Sequence, residues 1–177
     1  MAGENILMTG KPGVGKTTII RKTIKYLQYP STGFYTEEIR RNNKRVGFQI
    51  ISIETGKKLP LAHVDFSNTQ ERVGKYGVKP ENLLDFIKEI NQAININRPV
   101  CLVMDEIGKM EFYTPGFKET VQKALDSTLP LIGTILSKPH ALCDAIKQRE
   151  DVEVIEVTFE NRGKLSDYLV ERLKINS

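Results

Sequence analysis

Eight consecutive residues near the N-terminus have the types and spacing of a phosphate-binding loop. They fit the pattern G-x-x-x-x-G-K-[ST] and are Gly10, Lys11, Pro12, Gly13, Val14, Gly15, Lys16 and Thr17. The glycines allow backbone N–H groups to point at phosphate oxygens, and a following helix adds the positive end of its dipole. We expect Lys16 to contact the β- and γ-phosphates, Thr17 to bind Mg²⁺ and Thr18 to lie near the α-phosphate. An ordinary glycine-rich turn is the alternative.

A second cluster of chemical groups follows the apolar run "VCLVM". Asp105 comes directly after this run, which places its carboxylate at the end of a predicted strand. There it can hold Mg²⁺ from the side opposite the loop, through water. Glu106 is next in the chain and can orient an attacking water and accept its proton. The pair therefore points towards hydrolysis, although a charged strand end alone is common.

Further polar residues follow other predicted strands. Arg72 and Lys138 lie near the ends of segments that should converge on the loop side of the sheet, so each is a candidate for an additional cation near the γ-phosphate, although a solvated surface charge is the favoured interpretation. Thr134 and Ser137 could hydrogen-bond the γ-phosphate or the water, or could be satisfied within the protein.

Two other polar segments have open interpretations. In "TFENR", Asn161 and Arg162 could donate to the nucleobase or stack on it, and Asn161 could instead cap a helix. The cluster Arg40, Arg41, Lys44 and Arg45 is interpreted as a solvated hairpin tip, with a lid over phosphate as the alternative.

The elements that must position these residues alternate along the chain. Apolar runs at 5–10, 99–105, 130–136 and 152–157 are typical of strands. Apolar residues at helical spacing follow the loop, and the same spacing recurs from Pro80, Phe117, Leu142 and Leu165. Such alternation predicts an α/β fold with a parallel sheet between helices. Residues 33–79 read as a β-rich antiparallel insertion after the second strand, with a turn at Asn42–Asn43. We expect one domain over residues 1–177.

Composition limits the other possibilities. The chain has 177 residues, a net charge of +4 and two cysteines, Cys101 and Cys143, without metal-ligand spacing. No apolar run reaches the length of a membrane span and the N-terminus lacks a signal-peptide layout, so we expect a cytoplasmic protein without a membrane partner. The basic excess lies in residues 1–58 and suits polyphosphate. No basic helix with interleaved aromatics is present, so we expect a phosphate ligand in preference to nucleic acid.

Six segments together resemble the small cancer-related nucleoside-triphosphatase family. They are "TGKPGVGKTT", "GFYTEEIR", "RVGFQIIS", "RVGKYGV", "VCLVMDEIGKME" and "TFENR", in this order over nearly the whole chain. The resemblance implies a P-loop NTPase fold, a three-layer α/β/α sandwich, in which the strand "PLIGTIL" separates the phosphate-loop strand from the aspartate strand. It also implies Mg²⁺-dependent hydrolysis of ATP, GTP, CTP and UTP to the diphosphate and phosphate. The family's lysine and threonine fall on Lys16 and Thr17, and its acidic pair on Asp105 and Glu106.

Three hypotheses remain at this point. The first is a monomeric nucleoside-triphosphatase in which Glu106 positions water. The second is a nucleoside or nucleotide kinase whose acceptor site lies in the 33–79 insertion. The third is a nucleotide-dependent switch that recruits a protein or RNA.

Overall fold

The strand that precedes the phosphate loop is buried on both faces. In the computed structural model, which describes residues 4–174, Ile6, Leu7 and Met8 are each at most 1% exposed. Ile6 and Met8 join one hydrophobic cluster and Leu7 joins another, because successive side chains of a strand point to opposite faces. This burial is typical of a central strand in a sheet that helices cover on both sides.

The strands within residues 4–174 are, in chain order, β1 (Asn5–Thr9), β2 (Ser31–Arg41), β3 (Lys44–Ser52), β4 (Lys58–His63), β5 (Arg72–Val73), β6 (Tyr76–Val78), β7 (Cys101–Ile107), β8 (Leu131–Ile135) and β9 (Val152–Glu156). The α-helices of the same residues are α1 (Lys16–Tyr26), α2 (Leu84–Asn95), α3 (Phe117–Asp126), α4 (Ala141–Lys147) and α5 (Arg162–Arg172). Short 3₁₀ helices span Pro80–Leu83 and Glu111–Tyr113.

One part of the sheet is parallel and carries the predicted chemical groups. The strand order is β5-β6-β4-β3-β2-β7-β8-β1-β9, and β2, β7, β8, β1 and β9 pair in parallel. The strand β8 lies between β1 and β7, which confirms the predicted intervening strand. Because parallel strands end at the same edge, the segments that follow β1, β7 and β8 meet there.

The other part of the sheet is antiparallel and continuous with the first. Residues 31–34 of β2 pair in parallel with β7, whereas residues 34–41 pair antiparallel with β3. β3, β4, β6 and β5 then extend the sheet through antiparallel pairs. The predicted fold class, with an antiparallel insertion after the second strand, is thereby confirmed. Asn42 and Asn43 form the predicted turn with φ of 50° and 61°, a left-handed conformation that asparagine tolerates in tight hairpins.

Helices cover both faces of the sheet. α1 and α5 pack on the cluster that contains Ile6, through residues such as Ile20 and Leu169. α2, α3 and α4 pack on the opposite cluster, through residues such as Ile90 and Val121. No helix within residues 4–174 is both long enough and apolar enough to cross a lipid bilayer.

The helix predicted from Pro80 begins later than expected. Pro80–Leu83 forms a 3₁₀ turn, in which the Asn82 N–H donates to the Lys79 carbonyl at 3.1 Å, and α2 begins at Leu84. Such turns are frequent at helix N-termini. Proline is favoured there because an N–H group at the start of a helix has no partner within the helix, so its absence costs nothing.

Both cysteines are buried packing residues, as predicted. Cys101 lies in the cluster beneath α1 and α5, and Cys143 lies in the cluster on the other face. Burial raises the pKa of Cys101 to about 12 and that of Cys143 to about 11.

The pairing of β2 with β7 depends on a glycine. Gly33 has φ +113°, and a Cβ there would lie 2.1 Å from the Val103 carbonyl oxygen. We expect Gly33→Ala to lower the free energy of unfolding by about 2–5 kcal/mol, from backbone strain and overpacking together. Urea unfolding measures this. Gly163→Ala is the matched control, because its Cβ would meet nothing within 4 Å. Equal midpoints for the two variants would contradict the prediction.

Candidate active site

A cavity of about 690 Å³ opens at the edge of the sheet where β1, β7 and β8 end. The phosphate loop and the start of α1 form one wall, and Asp105, Glu106 and residues 136–138 form another. Strands β2 and β3 close the third side with residues 36–38, 40, 45 and 48. The cavity therefore joins the two chemical clusters that lie about 90 residues apart in the sequence.

The phosphate loop has an open backbone with its lysine folded over it. Gly10 has φ +142°, and a Cβ there would lie 2.8 Å from the Val157 carbonyl oxygen, so the loop passes close to the segment after β9. Lys16 Nζ donates to the carbonyl oxygens of Gly10 at 2.8 Å and Lys11 at 3.1 Å. Val14 is buried and anchors the loop to the core. The predicted loop residues other than Lys11 and Val14 line the cavity.

Asp105 connects three elements through its buried carboxylate. The Thr17 hydroxyl donates to Oδ2 at 2.6 Å, and the Thr134 hydroxyl donates to Oδ1 at 2.5 Å. Burial raises the pKa of Asp105, whereas these hydroxyls and the charge of Lys16 oppose the rise. The Thr134 hydroxyl is thus satisfied within the protein by its hydrogen bond to Asp105, which is one of the two alternatives that the sequence left open.

The oxygen atoms around Asp105 fit a magnesium site. A threonine hydroxyl and a carboxylate are hard ligands of the kind that Mg²⁺ takes, together with water and phosphate oxygens. In the part of the chain that the structure describes, no group of three or more His, Cys, Asp or Glu is arranged to hold a metal alone. Such a site would match the habit of Mg²⁺, which uses one or two carboxylates and substrate phosphates.

Glu106 lies at the shared wall of the cavity, one residue from Asp105, and the peptide bond between them is cis. Burial, and then the negative charge of Asp105, raise the pKa of Glu106 to about 7, while Lys16 opposes the shift. A carboxylate with a pKa near 7 is well matched to proton transfer at neutral pH. Gly108 packs against this carboxylate, since a Cβ there would lie 2.6 Å from Oε1.

Several cavity residues on β2, β3 and α1 were not predicted. Arg21 donates to Glu37 at 3.0 Å, and Arg45 and Arg40 donate to the two oxygens of Glu38 at 3.0 and 2.6 Å. Burial would raise the pKa of Glu38, but these two arginines outweigh it and lower the pKa. The sequence signal was the motif "GFYTEE", whose acidic pair had no obvious partner in linear order.

The hairpin arginines divide between two environments. Arg41 is exposed and pairs with Asp65, as a solvated tip would. Arg45 is half-buried, donates to the Tyr76 hydroxyl at 3.0 Å and lines the cavity, so the solvated interpretation is wrong for it. Its position depends on cross-strand packing, which spacing does not reveal.

The two cations proposed from the sequence, Lys138 and Arg72, lie in different parts of the structure. Lys138 lines the cavity together with Ser137, as the strand-end argument expected. Arg72 does not reach the cavity: it lies on β5, at the far edge of the sheet, and donates to the carbonyl oxygens of Phe66 and Lys75. The expectation that Arg72 converges on the loop is wrong because β5 pairs at the end of the antiparallel extension.

Asn161 and Arg162 lie beside the phosphate loop, outside the cavity lining. Asn161 Oδ1 accepts from the Thr158 N–H at 2.8 Å, and Nδ2 donates to the Glu156 carbonyl at 2.8 Å. Its amide therefore closes the turn before α5 without capping the helix through its side chain. Arg162 Nη1 donates to the Val14 carbonyl at 3.3 Å.

Comparison with known proteins agrees with this geometry. Residues 5–170 match the model of a protein family described as NTPase. The chain belongs to the NTPase family.

Three relatives support this assignment over the full length of the NTPase chain. Nucleoside-triphosphatase THEP1 from Natranaerobius thermophilus is 59% identical over 174 residues, which cover 98% of each chain. The crystal structure of THEP1 from the hyperthermophile Aquifex aeolicus has a TM-score of 0.86 at 32% identity, covering 97% of this chain and 99% of that one. The solution structure of a human cancer-related nucleoside triphosphatase has a TM-score of 0.81 at 34% identity, covering 99% and 100%. The resemblance read from the six segments is confirmed.

A second cavity of about 310 Å³ adjoins the first in this NTPase. Both cavities are lined by Phe48 and Glu106, and the second extends to Val73, Met110 and Glu111. Glu111 is only 5% exposed, and the one hydrogen bond that favours its ionised form comes from its own backbone amide. Burial, and then the charge of Glu106, raise the pKa of Glu111 well above its usual range.

This carboxyl group gives the NTPase a pH-dependent stability. Because the folded state raises the pKa of Glu111, the protonated group contributes its full stability below the unfolded pKa of about 4.5. This contribution is lost as pH rises through the pKa of the folded state. We expect Glu111→Gln to gain stability relative to the wild type as pH rises from 5 to 8, because glutamine does not ionise. Urea unfolding of both proteins at each pH measures the difference. Profiles that stay parallel across this range would contradict the prediction.

Proposed function

We propose that this chain hydrolyses nucleoside triphosphates to nucleoside diphosphate and phosphate with Mg²⁺, and accepts ATP, GTP, CTP and UTP. The observation that carries the proposal is the cavity shared by Lys16, Thr17, Asp105 and Glu106. The names of the relatives, which are nucleoside-triphosphatases, support the reaction class.

The triphosphate would bind along the phosphate loop. Backbone N–H groups of residues 13–17 and the N-terminus of α1 provide partial positive charge, and the first turn of α1 contains no acidic residue to oppose it. Lys16 Nζ, now on the carbonyls of Gly10 and Lys11, would exchange these contacts for β- and γ-phosphate oxygens.

Thr17 and Asp105 would hold the metal. Bound Mg²⁺ would neutralise charge on the β- and γ-phosphates. Thr134 keeps the Asp105 carboxylate oriented through Oδ1, which leaves Oδ2 and the Thr17 hydroxyl facing each other.

Glu106 would position the attacking water. Its carboxylate accepts the proton of a water that forms the new P–O bond to the γ-phosphorus, while the bond to the β,γ-bridging oxygen breaks and the diphosphate leaves with the electron pair. Lys16, and Lys138 at the rim of the cavity, would offset charge on the transferring group.

A specific observation favours a second candidate, phosphoryl transfer to a small acceptor. The cavity of about 310 Å³ adjoins the first at Glu106 and is lined by Thr36, Phe48 and Val73 from the 33–79 insertion. An acceptor hydroxyl there would replace water, with Glu106 again accepting the proton. Phosphate release in the absence of any acceptor would separate hydrolysis from this transfer.

Replacement of the proposed base tests the hydrolytic role. We expect Glu106→Gln to release phosphate about 10²-fold more slowly, because the amide orients water but accepts no proton, and to keep its affinity for nucleotide. Steady-state phosphate release from the four triphosphates with Mg²⁺, and calorimetric titration with each, measure the two effects. A variant as fast as the wild type would remove Glu106 from the mechanism. A wild type that releases no phosphate, and that forms nucleoside diphosphate and a phosphorylated alcohol only after an alcohol is added, would favour the second candidate.

A larger side chain at position 108 tests the role of the Glu106 carboxylate without removing that carboxylate. A methyl group on residue 108 would displace the Glu106 carboxylate, since 2.6 Å is far below contact distance. We expect Gly108→Ala to lose about 10- to 100-fold in kcat, the scale of a small misplacement of a catalytic group, with nucleotide affinity within about twofold of wild type. The exposed Gly163→Ala variant is the control. Unchanged kcat with an unchanged thermal midpoint would contradict the prediction.

A further inference from the structure

An aromatic ring stands exposed beside the phosphate loop. Phe159 is 72% exposed, the most exposed large hydrophobic side chain within residues 4–174. It lies in the turn between β9 and α5, and the Arg162 guanidinium lies 4.8 Å from its ring centroid. Arg162 also donates to the carbonyl of Val14 in the phosphate loop, so one residue links the ring to the loop.

The strand order indicates which part of a nucleotide would reach this ring. Two groups proposed to act on the γ-phosphate are Glu106, near the end of β7, and Lys138, which follows β8, whereas Phe159 follows β9. β1 and its phosphate loop lie between β8 and β9. A triphosphate with its γ-phosphate at Glu106 would therefore extend towards β9, and its nucleoside would leave the loop on the side of Phe159.

Hydrogen bonds within the turn that carries the ring engage most of its side-chain amide. The Asn161 amide uses its oxygen on the Thr158 N–H and its nitrogen on the Glu156 carbonyl, and the Asn161 N–H donates to the Thr158 hydroxyl at 3.3 Å. The side-chain amide that could donate to the base thus uses its oxygen and one of its two N–H groups within the turn. A planar ring held from one face by a guanidinium is left as the feature that a base can use.

We propose that Phe159 is the nucleobase platform of this enzyme: the base stacks on the ring, and Arg162 supports the ring and holds it to the phosphate loop. Stacking on an aromatic side chain tolerates all four bases, because every base has a π-face. The platform gives a physical reason for broad nucleotide acceptance. The inference rests on the proposed function for the direction in which the triphosphate lies.

Binding of nucleotides with and without a base tests the platform. We expect Phe159→Ala to raise the Kd for ATP, GTP, CTP and UTP by about tenfold each, the scale of one lost stacking contact, and to leave the Kd for inorganic tripolyphosphate unchanged. Phe159→Tyr should keep wild-type affinity because it keeps the ring. Calorimetric titration with Mg²⁺ measures each Kd, with Glu106→Gln as the background to prevent turnover.

Tyr26→Ala is the matched control, because Tyr26 is another exposed aromatic, 58% exposed at the C-terminal end of α1. It should leave every Kd unchanged. Nucleotide Kd values for Phe159→Ala within twofold of wild type, or an equal loss of tripolyphosphate binding, would overturn the platform while leaving hydrolysis intact. Failure of the wild type to bind any triphosphate would instead overturn the proposed function, and the platform with it.

Discussion

The carboxylate of Asp105 must be satisfied inside the protein, and this requirement organises the site. A buried carboxylate without partners is costly, and here hydroxyls from Thr17 and Thr134 donate to its two oxygens. Thr17 lies in the first turn of α1, Asp105 lies on β7 and Thr134 lies on β8. One ionisable group therefore ties together the three segments whose relative position decides whether a metal-bound triphosphate can fit.

Two further acids lie close to Asp105 and make the region electrostatically demanding. Glu106 and Glu111 are both shifted towards the neutral form, first by burial and then by neighbouring carboxylates. Lys16 is the cation that opposes these shifts at Asp105 and Glu106. Acids kept in a water-poor site at the cost of stability are typical of catalytic regions, where the cost is offset elsewhere in the fold.

The sequence was most informative where one local rule decides a position. The phosphate loop, the start of α1 and the position of Asp105 near the end of β7 follow from motif spacing and from the shared edge of parallel strands. Arg45, Arg72 and Glu111 could not be placed in the same way. Their surroundings depend on which strands pair across the antiparallel extension and on how a 3₁₀ turn packs, and these are contacts between segments far apart in the chain. The role of Asn161 could not be decided from the sequence either, because the hydrogen bonds of its amide to Thr158 and Glu156 depend on backbone geometry.

The two cysteines lie on opposite faces of the sheet, Cys101 beneath α1 and α5 and Cys143 on the side of α2, α3 and α4. Each is buried with a raised pKa, so the native thiols should be nearly inert towards alkylating reagents. Alkylation of either thiol then requires the helical layer on its side of the sheet to open. The molecule thus contains two internal reporters, and the order in which they are modified distinguishes opening of the helical layer next to the phosphate loop from opening of the layer behind the sheet.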